Sequence, residues 1–195
     1  MRTRLLAFCV LLLLGTSAFG ADGPVAKGSM ILTGNLYFMS QSGDLYENWE
    51  GDGLTTVSLT PGIGYFISPG FVIGGDFNLL NMSQGEYSGT AFSVGPKLGY
   101  YFGANNARTE FKGAAYPYIA AFASFGSISE EGDDDISTTS LGFTGGVVYM
   151  VSNAVGIDLG LRFASDKYST EIDGESYSES GTSLLIGAGV SAFIF

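Results

Sequence analysis

The stretch VSLTPGIGYFI at 57–67 alternates with a period of two. One face carries Val57, Leu59, Pro61, Ile63, Tyr65 and Ile67, and the other Ser58, Thr60, Gly62, Gly64 and Phe66. Successive side chains on a strand point to opposite sides, so this is a strand with one bulky apolar surface and one small or polar surface. Three other segments repeat the pattern. FVIGGDFNLL sets Phe71, Ile73, Phe77 and Leu79 against Gly74, Asp76 and Asn78; FSVGPKLGYYF sets Phe92, Val94, Pro96, Leu98, Tyr100 and Phe102 against Ser93, Gly95, Lys97, Gly99 and Tyr101. VGIDLGLRF sets Val155, Ile157, Leu159, Leu161 and Phe163 against Gly156, Asp158, Gly160 and Arg162. A soluble sandwich or a secreted lipocalin-like barrel, the alternative reading, turns its bulky side inward and its charges to water. The glycine-rich face here is too small for a hydrophobic core. It suits the inside of a narrow barrel whose bulky face meets lipid. Such a sheet must close, because an open edge leaves backbone groups unpaired in hydrocarbon.

Period-two runs fall near 28–41, 55–68, 70–83, 89–102, 114–128, 138–151, 154–168 and 182–195. Eight strands imply an all-β, up-and-down antiparallel barrel. The connections alternate in character. Ser68-Pro69-Gly70 and Val151-Ser152-Asn153-Ala154 are short and uncharged, while GANNARTEFKG at 103–113 is longer and carries Arg108 and Lys112. Between them lie the segments 43–53, 81–89, 127–138 and 166–181, which hold most of the 19 acidic residues. In a meander, odd and even connections lie at opposite ends, so the barrel is expected to carry one acidic rim.

The amino terminus sets the compartment. Arg2 and Arg4 precede an apolar run from Leu5 to Leu14, and Ala18-Phe19-Gly20 offers a cleavage site before Ala21. That order is the order of an export signal. A spanning helix needs about 20 apolar residues, more than this run has. The expected division is a signal peptide at 1–20 and one barrel domain at 21–195. Cys9 lies in the leader and no other cysteine follows, so the mature chain has neither a disulfide nor a lipidated cysteine. The formal charge of −11 becomes more negative when Arg2 and Arg4 leave with the leader. That charge disfavours nucleic acid as a partner. Acidic chains are often disordered, but this one carries 15 Phe, 11 Tyr and 30 Gly.

The segments TPGIGYFI (60–67), VGPKLGYYF (94–102), YPYIAAFA (116–123) and GFTGGVVYMVSNAVGIDLGLRF (142–163), with a final Phe195, resemble the small eight-stranded outer-membrane β-barrel domain family, OmpA- and OmpX-like. The likeness covers residues 28–195. It implies a multi-pass barrel in a bacterial outer membrane, and in this family a terminal aromatic forms part of the signal read by the barrel assembly machinery. Phe195 stands at that position. Two strands read ambiguously. In the last run Phe193 and Phe195 fall with Gly187, Gly189 and Ser191, not with Leu184, Ile186, Ala188 and Val190. Either a bulge shifts the alternation or the two rings plug the periplasmic end. In the fifth, Tyr116-Tyr118-Phe122 and Pro117-Ile119-Phe125 are both candidates for the lipid face.

The functional expectation is a monomeric envelope barrel with a structural or cell-surface interaction role, embedded in lipid and lipopolysaccharide. A narrow or gated channel is the alternative. Asp76, Lys97, Asp158 and Arg162 are the expected lumen charge network, since buried charge is tolerated only when paired or hydrated. Phe66, Tyr101, Met150 and Arg162 are expected to fill the lumen, with inward glycines leaving room for water. Tyr65, Phe71, Tyr100, Tyr101, Phe102, Tyr149 and Phe163 lie near run ends and suit interfacial belts. Tyr46, Trp49, Tyr87, Tyr168 and Tyr177 punctuate the acidic loops and are candidates for contact with an unidentified surface ligand. The chain has no histidine, which removes the usual triads and His general bases, and no enzyme is expected. Glu130, Glu131, Asp133, Asp134 and Asp135 lack the spacing of a calcium loop; no metal or cofactor is implied.

Overall fold

The computed structural model describes residues 21–41, 54–85, 87–104, 109–130, 136–172 and 175–195. Among them lie eight strands: β1 Met30–Gln41, β2 Leu54–Ser68, β3 Phe71–Gln84, β4 Tyr87–Tyr101, β5 Ala115–Glu130, β6 Ile136–Met150, β7 Val155–Ile172 and β8 Glu175–Ile194. Each pairs antiparallel with the next, and β8 returns to β1 to close the barrel. The expected signal peptide at 1–20 lies outside the described residues.

The facing read from the alternation holds on β2, β3, β4 and β7. Leu59, Ile63, Phe77, Phe92, Leu98, Leu161 and Phe163 stand exposed on the outside, while Phe66, Tyr101, Asp158 and Arg162 are buried inside. An apolar belt of that extent far exceeds what a soluble monomer exposes, so the exterior is built for lipid and the secreted-barrel alternative is set aside. On β5 the inward set is Tyr116, Tyr118 and Phe122, leaving Ile119 and Phe125 to the outside.

Two connections expected as loops are strand. The acidic segment 166–181 continues β7 to Ile172 and starts β8 at Glu175, with pairs running from Asp166↔Gly181 out to Ile172↔Glu175. Thr, Tyr and Ser are at home on a solvated strand, and carboxylates in water do not oppose backbone pairing. The segment 81–89 is likewise taken up by β3 and β4, which pair to Gln84↔Tyr87 around Gly85. Gly85 has a φ of 60° and Gly70, in the Ser68-Pro69-Gly70 turn, 76°, a region that suits glycine.

Four places interrupt the ladders, one of them a register shift on β2 between Phe66 and Ser68. β2 and β3 lose register partners at Thr60-Pro61, and β4 and β5 at Gly95-Pro96, where proline has no N–H to donate. The closing seam is also short. β1 and β8 pair from Met30↔Ile194 to Tyr37↔Gly187. Beyond that point Phe38–Gln41 pair with β2 and Glu175–Ile186 with β7, but not with each other.

Candidate functional site

The lumen has three tiers. The first, at the end that holds residues 21–29 and Phe195, is an aromatic plug. Phe66, Val148 and Met150 are fully buried, and Val25, Ile31, Tyr101, Tyr116 and Phe193 nearly so. Phe66 meets Tyr101 edge-on with centroids 5.5 Å apart and stacks on Phe193 at 6.5 Å; Tyr101 stacks on Tyr118 at 5.0 Å. The belt expected to include Tyr101 therefore loses that residue to the lumen, because its position on β4 faces inward with Gly99 and Lys97.

Residues 21–29 complete the plug, which sequence reading did not foresee. This segment folds back into the barrel mouth: Phe66 N–H donates to Ser29 O at 2.9 Å, Gly28 N–H to Phe66 O at 2.8 Å, and Gly70 N–H to Val25 O at 2.8 Å. Ser29 Oγ donates to Gly23 O at 2.6 Å, and Gly23 lies against the Phe111 ring. The question of the last strand is settled here. The β8 pairing to β1 and β7 has no bulge, and Phe193 points inward. Phe195 packs edge-on against Phe111 at 5.5 Å. Both rings serve the plug.

The second tier holds the charges. Asp76, Lys97, Asp158 and Arg162 border one cavity of about 20 Å³, room for about one water. They do not form one network. Lys97 Nζ donates to Asp76 Oδ1 at 2.6 Å, with both side chains mostly buried. Asp158 accepts from Tyr118 Oη at 3.0 Å. The Arg162 guanidinium lies over the Phe122 ring, 3.7 Å from its centroid, and has no ion pair among the described residues. Asp158 and Arg162 are four residues apart on one strand, about 13 Å at 3.3 Å per residue, too far to pair. Thr33 and Ser191 face each other across the β1–β8 seam with buried hydroxyls that have no hydrogen-bond partner among the described residues. At several inward glycines a larger neighbour takes the space a side chain would fill. A Cβ on Gly187 would strike the Tyr37 ring, one on Gly142 would come 2.7 Å from the Phe122 ring, and one on Gly62 would run into the Asp76 carboxylate.

The third tier is a chamber of about 180 Å³ toward the β7–β8 hairpin. Its wall mixes hydroxyls, among them Ser93, Ser124, Thr138 and Ser140, with Leu80, Met82, Ile128 and Leu185, and Arg162 reaches it from below. Ser58 Oγ and Thr60 Oγ1 both donate to Asn78 Oδ1, at 2.6 and 2.8 Å, and Ser183 Oγ donates to Asp166 Oδ2 at 2.9 Å. The signal for this chamber was present in the doublets Leu79-Leu80 and Leu184-Leu185, where an apolar residue occupies the inward face as well as the outward one.

Of the expected surface contacts, Tyr46 and Trp49 lie outside the described residues, as do Glu131, Asp133, Asp134 and Asp135. Tyr168 stands on β7 opposite Thr138 and Glu179, on the chamber wall and partly exposed, not in a loop. Tyr87 opens β4 and Tyr177 pairs with Thr170 on the β7–β8 hairpin, so both are strand positions too; their side chains lie outside the described set.

No family model matches the chain, and no curated protein does. Solved structures do. Neisserial surface protein A (NspA) superposes with a TM-score of 0.57 at 19% identity, covering 87% of this chain and 98% of its own. The outer membrane protein OprG from Pseudomonas aeruginosa gives 0.57 at 11% identity, covering 89% and 98%. This chain has the small outer-membrane β-barrel fold. AlkL, an outer membrane protein solved in lipid bilayers, superposes at 0.51 with 13% identity, covering 86% and 90%. In barrels of this fold the short turns lie at the periplasmic end and the longer extensions outside, which is where the long β7–β8 hairpin belongs. The plug therefore faces the periplasm and the chamber faces outward.

Proposed function

We propose that this chain is a non-conducting outer-membrane barrel with a structural or cell-surface interaction role. The observation that carries the reading is the periplasmic plug, in which residues 21–29, Phe66, Tyr101, Met150 and Phe193 fill the lumen from wall to wall. Above it, the cavity bordered by Asp76, Lys97, Asp158 and Arg162 holds about 20 Å³, far less than a hydrated ion requires. Among the described residues Asp76 is engaged by Lys97 and Asp158 by Tyr118, which supports a structural role for these carboxylates. The apolar exterior supports outer-membrane lipid and lipopolysaccharide as its surroundings, and Phe195 supports recognition by the barrel assembly machinery. The acidic hairpin that stands beyond the apolar belt, with Tyr168 and Tyr177, is the proposed contact surface for an external ligand.

Planar bilayer recordings test the reading. The mature protein is expected to show no discrete conductance steps. Regular steps at full occupancy would replace it with the narrow-channel reading. That second reading has one observation in its favour: part of the plug is a terminal segment held by a few backbone hydrogen bonds, which can leave without unfolding a strand.

A further inference from the structure

We infer that the outer chamber is a binding site for a small amphipathic carboxylate, its anionic end on Arg162 and its apolar body against Leu80, Met82, Ile128 and Leu185. Arg162 is 7% exposed, and among the described residues it lies over the face of Phe122 and makes no ion pair. A guanidinium carries five N–H donors and no acceptor. Phe122 offers a π-face to the cation but no lone pair to those donors. The acids that share its lumen are engaged elsewhere: Asp76 with Lys97, Asp158 with Tyr118, and Asp166 with Ser183. Asp166 also lies about 13 Å farther along the strand, by 3.3 Å per residue. Asp76 and Asp166 act on this buried cation only through space. It has no direct ion pair among the described residues, which is unfavourable for a desolvated charge, and it is placed at the floor of the chamber.

The walls narrow the ligand further. Hydroxyls line the chamber and can accept or donate around a carboxylate, while four apolar side chains among them suit a hydrocarbon body. At about 180 Å³ the chamber is smaller than the 300–1,000 Å³ typical of drug-sized sites. It fits a short-chain acid, not a whole phospholipid. The planar fork of Arg162 matches a carboxylate with two parallel hydrogen bonds. The acidic character of the chain and Asp166 on the upper wall oppose polyanions, so a monoanion with an apolar tail is favoured over phosphate-rich molecules.

The test uses the mature chain refolded in phosphatidylcholine nanodiscs, with isotope-labelled Met and Ile methyl groups, titrated with hexanoate, hexanol and inorganic phosphate. Hexanoate is expected to shift Met82 and Ile128 saturably, while the lipid-facing Ile63 and Ile119 respond only in proportion to bulk concentration. Arg162→Met is expected to weaken hexanoate at least tenfold and leave the weaker response to hexanol unchanged; phosphate is expected to produce no saturable shift. Should that variant fail to fold, Leu185→Trp fills the chamber with Arg162 intact and is expected to abolish the saturable shift. Equal hexanoate binding by the wild type and Arg162→Met, hexanol as tight as hexanoate, saturable phosphate binding, or shifts confined to the lipid-facing methyls would overturn the assignment.

Discussion

Phe66 and Tyr168 both project inward from the same closed sheet, yet Phe66 is fully buried and Tyr168 keeps 39% of its surface exposed. The difference runs through every element between them. At the periplasmic end, β1 and β8 are paired residue for residue, aromatic rings stack across the lumen, and the chain's own residues 21–29 cover the mouth. At the outer end, β1 and β8 part above Tyr37↔Gly187, the wall mixes hydroxyls with leucines, and a chamber of about 180 Å³ remains. The barrel wall alone does not decide whether a lumen is filled. Side-chain size at inward positions and a segment outside the strands decide it.

The largest expected effect is at the plug. Phe66→Ala removes the ring that touches Tyr101 and Phe193, and a cavity of that kind costs about 3–5 kcal/mol. Urea titration in lipid vesicles, followed by the boil-dependent electrophoretic shift, measures it. Leu185→Ala on the chamber wall is expected to cost much less, because that side chain is only partly buried. Equal losses would erase the distinction between the two ends.

Lys97→Met comes next. It strands Asp76 in a mostly buried setting and is expected to cost about 3 kcal/mol. The double variant with Asp76→Leu is expected to recover most of that loss in the same urea assay. A double variant no better than the single one would mean that the pair is hydrated and not mutually dependent.

Gly187→Val tests the seam. Its side chain would meet the Tyr37 ring at the last β1–β8 pair, and overpacking of this kind costs about 1–3 kcal/mol. Gly181→Val, on the same strand but above the seam with nothing within 4 Å of a Cβ, is expected to be neutral or mildly stabilising. The smallest effect is dynamic. Seam-facing amides of β8 between Leu184 and Ile186 are expected to exchange hydrogen faster than those between Ala188 and Ala192. Uniform protection by amide exchange in nanodiscs would show that the seam is closed in solution.

Much of this was legible because lipid and lumen make opposite demands on neighbouring residues. Val57, Leu59 and Ile63 against Ser58, Thr60 and Gly62 leave one facing for β2, and the eight runs follow from repeats of that contrast. The extent of β7 and β8 was not legible, because beyond the bilayer both faces meet water and the contrast vanishes at Asp166, Lys167 and Thr170. The facing of Phe193 was ambiguous for a different reason: at the plug the lumen is itself apolar, so both faces read alike. The charge partners needed register. Lys97 lies opposite Gly74 and Asp76 opposite Gly95, a cross-strand neighbourhood that spacing along the chain does not reveal. Asp158 and Arg162 look complementary in the sequence, yet strand geometry holds them apart.

The asymmetry of the lumen is tested most directly by cysteine accessibility, since the one cysteine of the chain, Cys9, lies outside residues 21–195. Ser140→Cys places a thiol in the outer chamber and Ser191→Cys places one in the buried tier beside the plug. A small, charged, membrane-impermeant thiol reagent added to intact cells should modify the first rapidly and leave the second unmodified, including when it is applied from the periplasmic side. Comparable rates at the two positions would contradict a lumen sealed at one end and open at the other.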